Sequence, residues 1–279
     1  MGKAKADPVP TATSSDSEAE NSDQERPSKK ARAEQEEETP AVLSTPLELA
    51  PSLSIPKRKS NFKPIIVLLD QATVETIKNR RGVYELLNCD DHRDLCKKKL
   101  HKDPNNYRPD ILHQELLALL DSPLNKAGML KVYIQTTKNV LIDVHPAIRI
   151  PRTYKRFAGL MVQLLHKMKI KASSESTTLL KVIKNPFSQY LPPGTRCHGI
   201  ECDGQLYSPI ALAKALVPAV PEQSPAPTCF IVGAMSTGNI TMEDHPYIES
   251  MMSISEYPLS GAAALSRIAG GIEQYWGIV

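Results

Sequence analysis

Aromatic side chains make up only 5% of this 279-residue chain, with one tryptophan and four phenylalanines. No apolar run approaches the ~18 residues that a bilayer-spanning helix needs. The polar N-terminal stretch has no apolar segment of the secretory kind, so an intracellular, soluble protein with no membrane partner is expected. The five cysteines, Cys89, Cys96, Cys197, Cys202 and Cys229, lack the close paired spacing of a zinc site. Their odd number argues against a disulfide framework, and reduced thiols are expected. Cys89-Asp90-Asp91-His92, with His101 nearby, has the residue types of a metal site. Adjacent residues cannot all face one ion, so no metal is expected and Asp90 or Asp91 reads as a turn or ion-pair residue. The first apolar strand is followed by no Gly-x-Gly-x-x-Gly or phosphate-loop motif, which disfavours the usual nucleotide-binding enzymes.

Sustained apolar periodicity is also missing from residues 1–60. Acidic clusters at Asp16 to Glu25 and Glu34 to Glu38 are mixed there with Pro, Ser, Thr and Ala. Such a composition buries too little apolar surface to offset the entropy of ordering, and a disordered acidic and basic tail is expected. The tail holds nine Lys+Arg and eleven Asp+Glu, leaving 25 basic against 20 acidic residues in 61–279. That balance favours a polyanionic partner. Lys29-Lys30-Ala31-Arg32 and Lys57-Arg58-Lys59 have the composition of nuclear import signals, against the alternative of solvated charge. The rest of the chain suits one large domain.

What is present from residue 64 onward is an alternation of strand and helix patterns. Pro64 to Leu69 is a continuous apolar run that reads as a buried strand, followed by a polar helix-like segment. Leu112, Leu116, Leu119 and Leu120 recur at helical spacing, with Asp110 suited to cap the helix and Asp121-Ser122-Pro123 to end it. Lys131 to Gln135 and Val140 to Val144, joined by Thr136-Thr137-Lys138-Asn139, predict a β-hairpin. Phe157, Leu160, Met161, Leu164, Leu165 and Met168 form an amphipathic helix stripe with Thr153 as its expected N-cap. Strands over 179–183, 228–232 and 251–254 and helices over 209–216 and 262–276 complete the pattern, with 217–227 as a surface loop. The expectation is an α/β fold with a mainly parallel sheet covered by helices.

Two places concentrate chemistry. The strands at 228–232 and 251–254 run into Gly233-Ala234-Met235-Ser236-Thr237-Gly238 and Ser255-Glu256-Tyr257-Pro258-Leu259-Ser260-Gly261. Small residues leading from a strand into a helix leave backbone amides free at the carboxyl edge of a sheet, where ligands bind. The alternative is a glycine serving only its turn. Arg149, Arg152, Lys155 and Arg156 crowd one loop and the first helical turn, where the macrodipole opposes cations. The cluster points to an anionic partner such as RNA, against the alternative of a solvated surface.

The chain resembles the pseudouridine-N1 methyltransferases of small-subunit ribosome assembly, members of the SPOUT or trefoil-knot class. The motifs that carry the resemblance include Leu86-Leu87-Asn88-Cys89-Asp90, Arg108-Pro109-Asp110 with His113-Gln114, and Leu120-Asp121-Ser122-Pro123-Leu124-Asn125-Lys126-Ala127-Gly128. They continue with Arg149-Ile150-Pro151-Arg152-Thr153, Gly159 to Lys167, Leu180 to Pro186 and Tyr257-Pro258-Leu259-Ser260. The resemblance implies a SPOUT-type α/β knot over 61–279 with an inserted β-hairpin, a C-terminal trefoil knot and a homodimer in the nucleus and nucleolus. It implies S-adenosyl-L-methionine held by loops containing Cys202, Gly233 and Gly238, and by Ile254, Ser255, Glu256, Tyr257, Pro258, Leu259 and Ser260. It also implies rRNA binding by Arg108, Arg149, Arg152 and Arg156, with Asp110 orienting Arg108.

Glu256 stands where the family pattern has Asn, and Gly199-Ile200-Glu201-Cys202 matches it poorly. The implied reaction methylates N1 of a pseudouridine in small-subunit (18S-type) ribosomal RNA, in the course of small-subunit biogenesis. The alternative is an RNA-binding assembly factor whose methyl transfer is secondary or lost. Asp110 is the candidate catalytic group; pairing with Arg108 makes it a weak base, and solvent is an equal candidate to accept the N1 proton.

Overall fold

The computed structural model describes residues 64–172, 177–219 and 226–279; the expected tail at 1–60 lies outside them. Its centre is an eight-stranded sheet. In chain order the strands and helices are β1 (Ile65–Ala72), β2 (Thr76–Lys78), β3 (Tyr84–Leu86), α1 (Arg93–Leu95), α2 (Pro109–Leu120), α3 (Pro123–Lys126), β4 (Leu130–Thr136), β5 (Leu141–Val144) and α4 (Tyr154–Lys167). They continue with β6 (Lys169–Lys171), β7 (Thr178–Ile183), β8 (Arg196–Leu206), α5 (Pro209–Leu216), β9 (Thr228–Gly233), β10 (Ser250–Ser253) and α6 (Gly261–Trp276). The strand order is β10-β8-β9-β1-β4-β5-β7-β6. β10, β8, β9, β1 and β4 run parallel, and β5, β7 and β6 add antiparallel pairs.

β1 shows why its apolar run is continuous. Ile65, Val67 and Leu69 enter one core, and Ile66 and Leu68 the other, so both faces of the central strand are buried. The larger core takes α2, α4, α5 and α6 through residues such as Leu116, Phe157, Leu212 and Ile268. The second core is built from Tyr133, Leu141, Phe187, Cys229, Ile231, Ile240 and Ile248, so it draws on strands and on the segments before β8 and after β9. The expectation of helices covering the sheet therefore holds for the larger core, while loops and a short 3-10 turn at Phe187–Tyr190 contribute to the other.

Several local expectations need correction. The polar segment after β1 is not helical: β2 and β3 form a separate antiparallel pair around the Asn79–Gly82 turn. Asp110 does not cap α2; Arg108 occupies the N-cap without a side-chain cap bond, and Pro109 takes the first turn, where its missing N–H costs nothing. Thr153 is the N-cap of α4 by backbone but makes no side-chain cap bond. Gly233 to Gly238 leads into a loop toward β10 and not into a helix. Of the expected loop at 217–227, Val217 is buried and Trp276 Nε1 donates to Pro218 O at 2.9 Å, while 220–225 lie outside the described residues. No helix among the described residues is long and apolar enough to cross a membrane.

Candidate functional site

A cavity of about 450 Å³ opens where β9 and β10 end and where the middle of β8 runs alongside them. Its walls contain Cys202, Gly233, Gly238, Ile254, Ser255, Tyr257, Pro258, Leu259 and Ser260, which come from three separate segments of the chain. Glu256, expected among the cofactor residues, does not line it; its side chain is exposed to solvent. Arg108, expected on the RNA side, is a wall residue of the same cavity. The wall residues that sequence reasoning missed include Ile111 and Gln114 on α2 and Glu201 on β8, while Met235 and Ser236 belong to the Gly233–Gly238 run it singled out. Beyond Ile200, β8 is mostly exposed and carries two acids and a glycine, so no alternating apolar pattern marks Glu201.

The loops around the cavity are held by short bonds. Ser253 Oγ donates to Ser255 O at 2.9 Å, and the Tyr257 amide donates to Ser255 Oγ at 3.1 Å. Ser260 caps α6, accepting from the Ala263 amide at 3.3 Å. The loop after β9 is pinned by the Ile240 amide on Glu201 Oε1 at 2.6 Å, by Ser236 Oγ on Asn105 O at 2.7 Å and by Thr237 Oγ1 on Asn106 Oδ1 at 3.1 Å. His245 joins the same loop to β1, with Nε2 at 2.9 Å from Asp70 Oδ2 and Nδ1 at 2.9 Å from Tyr247 Oη. Burial raises the Glu201 carboxyl. Gly238 adopts φ +104°, a backbone that side chains rarely tolerate.

At the start of α6 a Cβ on Gly261 would overlap the Glu115 carboxyl. Glu115 is fully buried on α2, its oxygens have no hydrogen-bond partner among the described residues, and desolvation pushes its pKa up to about 9. It is therefore a neutral acid behind the cavity wall at neutral pH.

Arg108 is held by Asp110 through Nε to Oδ1 at 2.8 Å, Nε to Oδ2 at 3.1 Å and Nη2 to Oδ2 at 2.6 Å. This fork raises the guanidinium pKa further and fixes its plane. The Arg108 amide also donates to Thr73 Oγ1 at 3.0 Å. Arg149 and Arg152 lie on a second cavity of about 350 Å³ with Asp121 and Lys126, and Arg152 Nη2 reaches Asp121 Oδ2 at 2.9 Å. Arg156 is exposed in the first turn of α4. His113 ties this arginine loop to α2: Nε2 lies 2.7 Å from Pro151 O, and its ring stacks on Phe157 at 4.5 Å. One helix thus positions both Arg108 and the loop bearing Arg149 and Arg152.

At the Cys89–His92 segment, Asn88 accepts the Asp90 and Asp91 amides on Oδ1 and donates to Asp91 Oδ2 at 2.9 Å. His92 Nε2 lies 3.4 Å from Glu85 Oε2. Asp91 is a turn residue, as its sequence position implied.

The profile of a known family, described as EMG1/NEP1 methyltransferase, matches residues 66–273. This chain belongs to the EMG1/NEP1 methyltransferase family. Among its relatives, the mouse "Ribosomal RNA small subunit methyltransferase NEP1" is 47% identical over 221 residues, 79% of this chain and 85% of that protein. The fission yeast "Ribosomal RNA small subunit methyltransferase mra1" is 45% identical over 240 residues, 85% of this chain and 65% of that protein. This chain thus spans just under two thirds of the fission yeast relative's length. The crystal structure of Archaeoglobus fulgidus Nep1 bound to S-adenosylhomocysteine is similar with a TM-score of 0.62 at 24% identity, covering 76% of this chain and 98% of that one. The likeness places the family member described here in the SPOUT-type α/β fold.

Proposed function

We propose that this chain transfers a methyl group from S-adenosyl-L-methionine to N1 of a pseudouridine in small-subunit ribosomal RNA, as a nuclear and nucleolar homodimer acting in small-subunit biogenesis. The observation that carries the reading is Arg108, which is at once a wall of the loop-built cavity and the N-cap of α2, the helix whose His113 holds the arginine loop. Its neighbours in that wall fit the cofactor. Arg108 and Glu201 are charged side chains of a wall that also offers serine hydroxyls, the Gln114 amide, the Tyr257 phenol, backbone and apolar groups, a mixture that suits a flat heterocycle with polar ends. The family name, and the S-adenosylhomocysteine in the archaeal relative's structure, support the same assignment.

When bound, the cofactor supplies an electrophilic methyl group on a sulfonium. The chain's part is orientation, because holding the nucleophile at near-attack distance removes much of the entropic barrier. Arg149, Arg152 and Arg156 bind phosphates beside a splayed-out base, and Arg108 faces the base from the cavity wall. Both Asp110 oxygens engage Arg108, so this carboxylate holds the guanidinium and the N1 proton passes to water. The test is to incubate the full chain with the cofactor and a hairpin carrying pseudouridine in its loop, then digest the RNA and identify the methylated nucleoside by mass spectrometry. N1-methylpseudouridine is expected; a methyl on ribose or another base, or RNA binding without product, contradicts the proposal.

A further inference from the structure

α4 carries no acidic residue, and its outward face presents Lys155, Arg156, Gly159, Gln163, His166 and Lys167 at helical spacing. Its opposite face, through Phe157, Met161 and Leu164, is fixed in the core, so the basic face cannot turn away. Gly159 leaves the middle of that face flat, since a Cβ there would meet nothing within 4 Å. From Lys155 to His166 the helix runs about 16 Å at its rise of about 1.5 Å per residue. At the far end stands Tyr84 of β3, 45% exposed, its ring edge-on to His166 with centroids 4.3 Å apart. Lys78 Nζ lies 5.8 Å from the centre of the same ring.

The turn beside this ring is rigid. Asn79 Oδ1 accepts the Arg81 and Val83 amides, each at 2.9 Å, and Asn79 Nδ2 donates to Glu85 Oε1 at 2.8 Å. Arg80 and Arg81 are therefore presented to solvent on a preorganised hairpin next to an exposed aromatic face.

We propose that α4 is a track along which RNA flanking the target loop runs from Arg152 and Arg156 to a base-stacking platform made by Tyr84 and His166, with Lys78, Arg80 and Arg81 on its phosphates. This extends the RNA-binding reading above and rests on it. Positive charge alone would also suit an acidic peptide. The exposed tyrosine and histidine favour unpaired bases, whose flat faces stack on such rings whatever the sequence.

The experiment uses the full chain and two RNAs, one hairpin with the pseudouridine loop and a minimal stem, and the same hairpin with unpaired extensions at both ends. Dissociation constants are measured by fluorescence anisotropy, together with methyl transfer to the minimal hairpin. The extended RNA is expected to bind about tenfold more tightly. Tyr84→Ala is expected to remove that gain while leaving the minimal hairpin's affinity and methylation unchanged, and Tyr84→Phe to restore it. Equal binding of the two RNAs by the wild-type chain overturns the track alone. Loss of both RNAs in Tyr84→Ala, or displacement of the extension's gain by polyglutamate without any effect of Tyr84→Ala, also overturns it. Failure of the wild type to bind either RNA overturns the RNA reading itself.

Discussion

Replacing Glu115 by Met should make the folded chain more stable, and increasingly so as pH rises. The carboxyl is fully buried, both oxygens lack partners among the described residues, and desolvation moves its pKa from 4.5 to about 9. In the unfolded chain it ionises near its ordinary value; in the folded chain it keeps its proton until about 9. Between those values the folded state binds more protons than the unfolded one, so stability falls as pH rises. One such group gives a slope of about 1.4 kcal/mol per pH unit, or roughly 3 kcal/mol between pH 5.5 and 7.5. Methionine fills a similar volume without an ionisable or polar group, and the slope should vanish with it. Urea titrations followed by fluorescence of Trp276, the one tryptophan and a buried residue at the end of α6, read the difference directly. The stability gap between variant and wild type should widen by roughly 3 kcal/mol over that pH interval. Parallel stability curves for the two proteins would show that the carboxyl is already ionised or hydrated, and the reasoning would be wrong.

Gly261→Ala should cost about 1–3 kcal/mol by overpacking against Glu115 and weaken S-adenosylhomocysteine binding, whereas Glu115→Ala in the same chain should recover most of both, as calorimetry on the double-mutant set would show. Asp110→Asn should lower the transfer rate at saturating RNA with little change in cofactor affinity, because it frees Arg108 without altering the loops; equal loss of cofactor binding would contradict this. Arg152→Ala should weaken RNA binding and reduce its salt dependence while cofactor affinity is kept, measured by anisotropy across a salt series.

Much of this fold is legible because long elements carry their period plainly. β1 is continuous since both its faces are buried, and α4 repeats at 157, 161 and 164 because one face meets the core. β8 was missed for a physical reason: from Glu201 onward it is half-exposed, and Gly204 sits where Met252 backbone atoms leave no room for a Cβ. The register shift between Met251 and Met252 marks the same irregularity. β2 and β3 escaped because strands of three residues around a polar turn have too little pattern to separate from a helix.

The cavity was legible in its residues but not in its assembly. The positions at Gly233, Gly238, 254, 255 and 257–260 follow from strand ends and small residues, whereas Arg108 joins them only through the packing of α2 against α6. The Asp70–His245 contact, which with Tyr247 holds one cavity loop, joins residues 175 apart in sequence and has no local signal. Glu115 was hidden because an acid in an apolar stripe reads as its polar edge.

The most direct measurement is transfer of labelled methyl from S-adenosylmethionine to two matched hairpins that differ only in having pseudouridine or uridine at the target position. The account predicts label in the pseudouridine hairpin and none in the other, because only pseudouridine presents a nitrogen nucleophile at N1. Equal labelling of both, or none in either despite measured binding of cofactor and RNA, would contradict it.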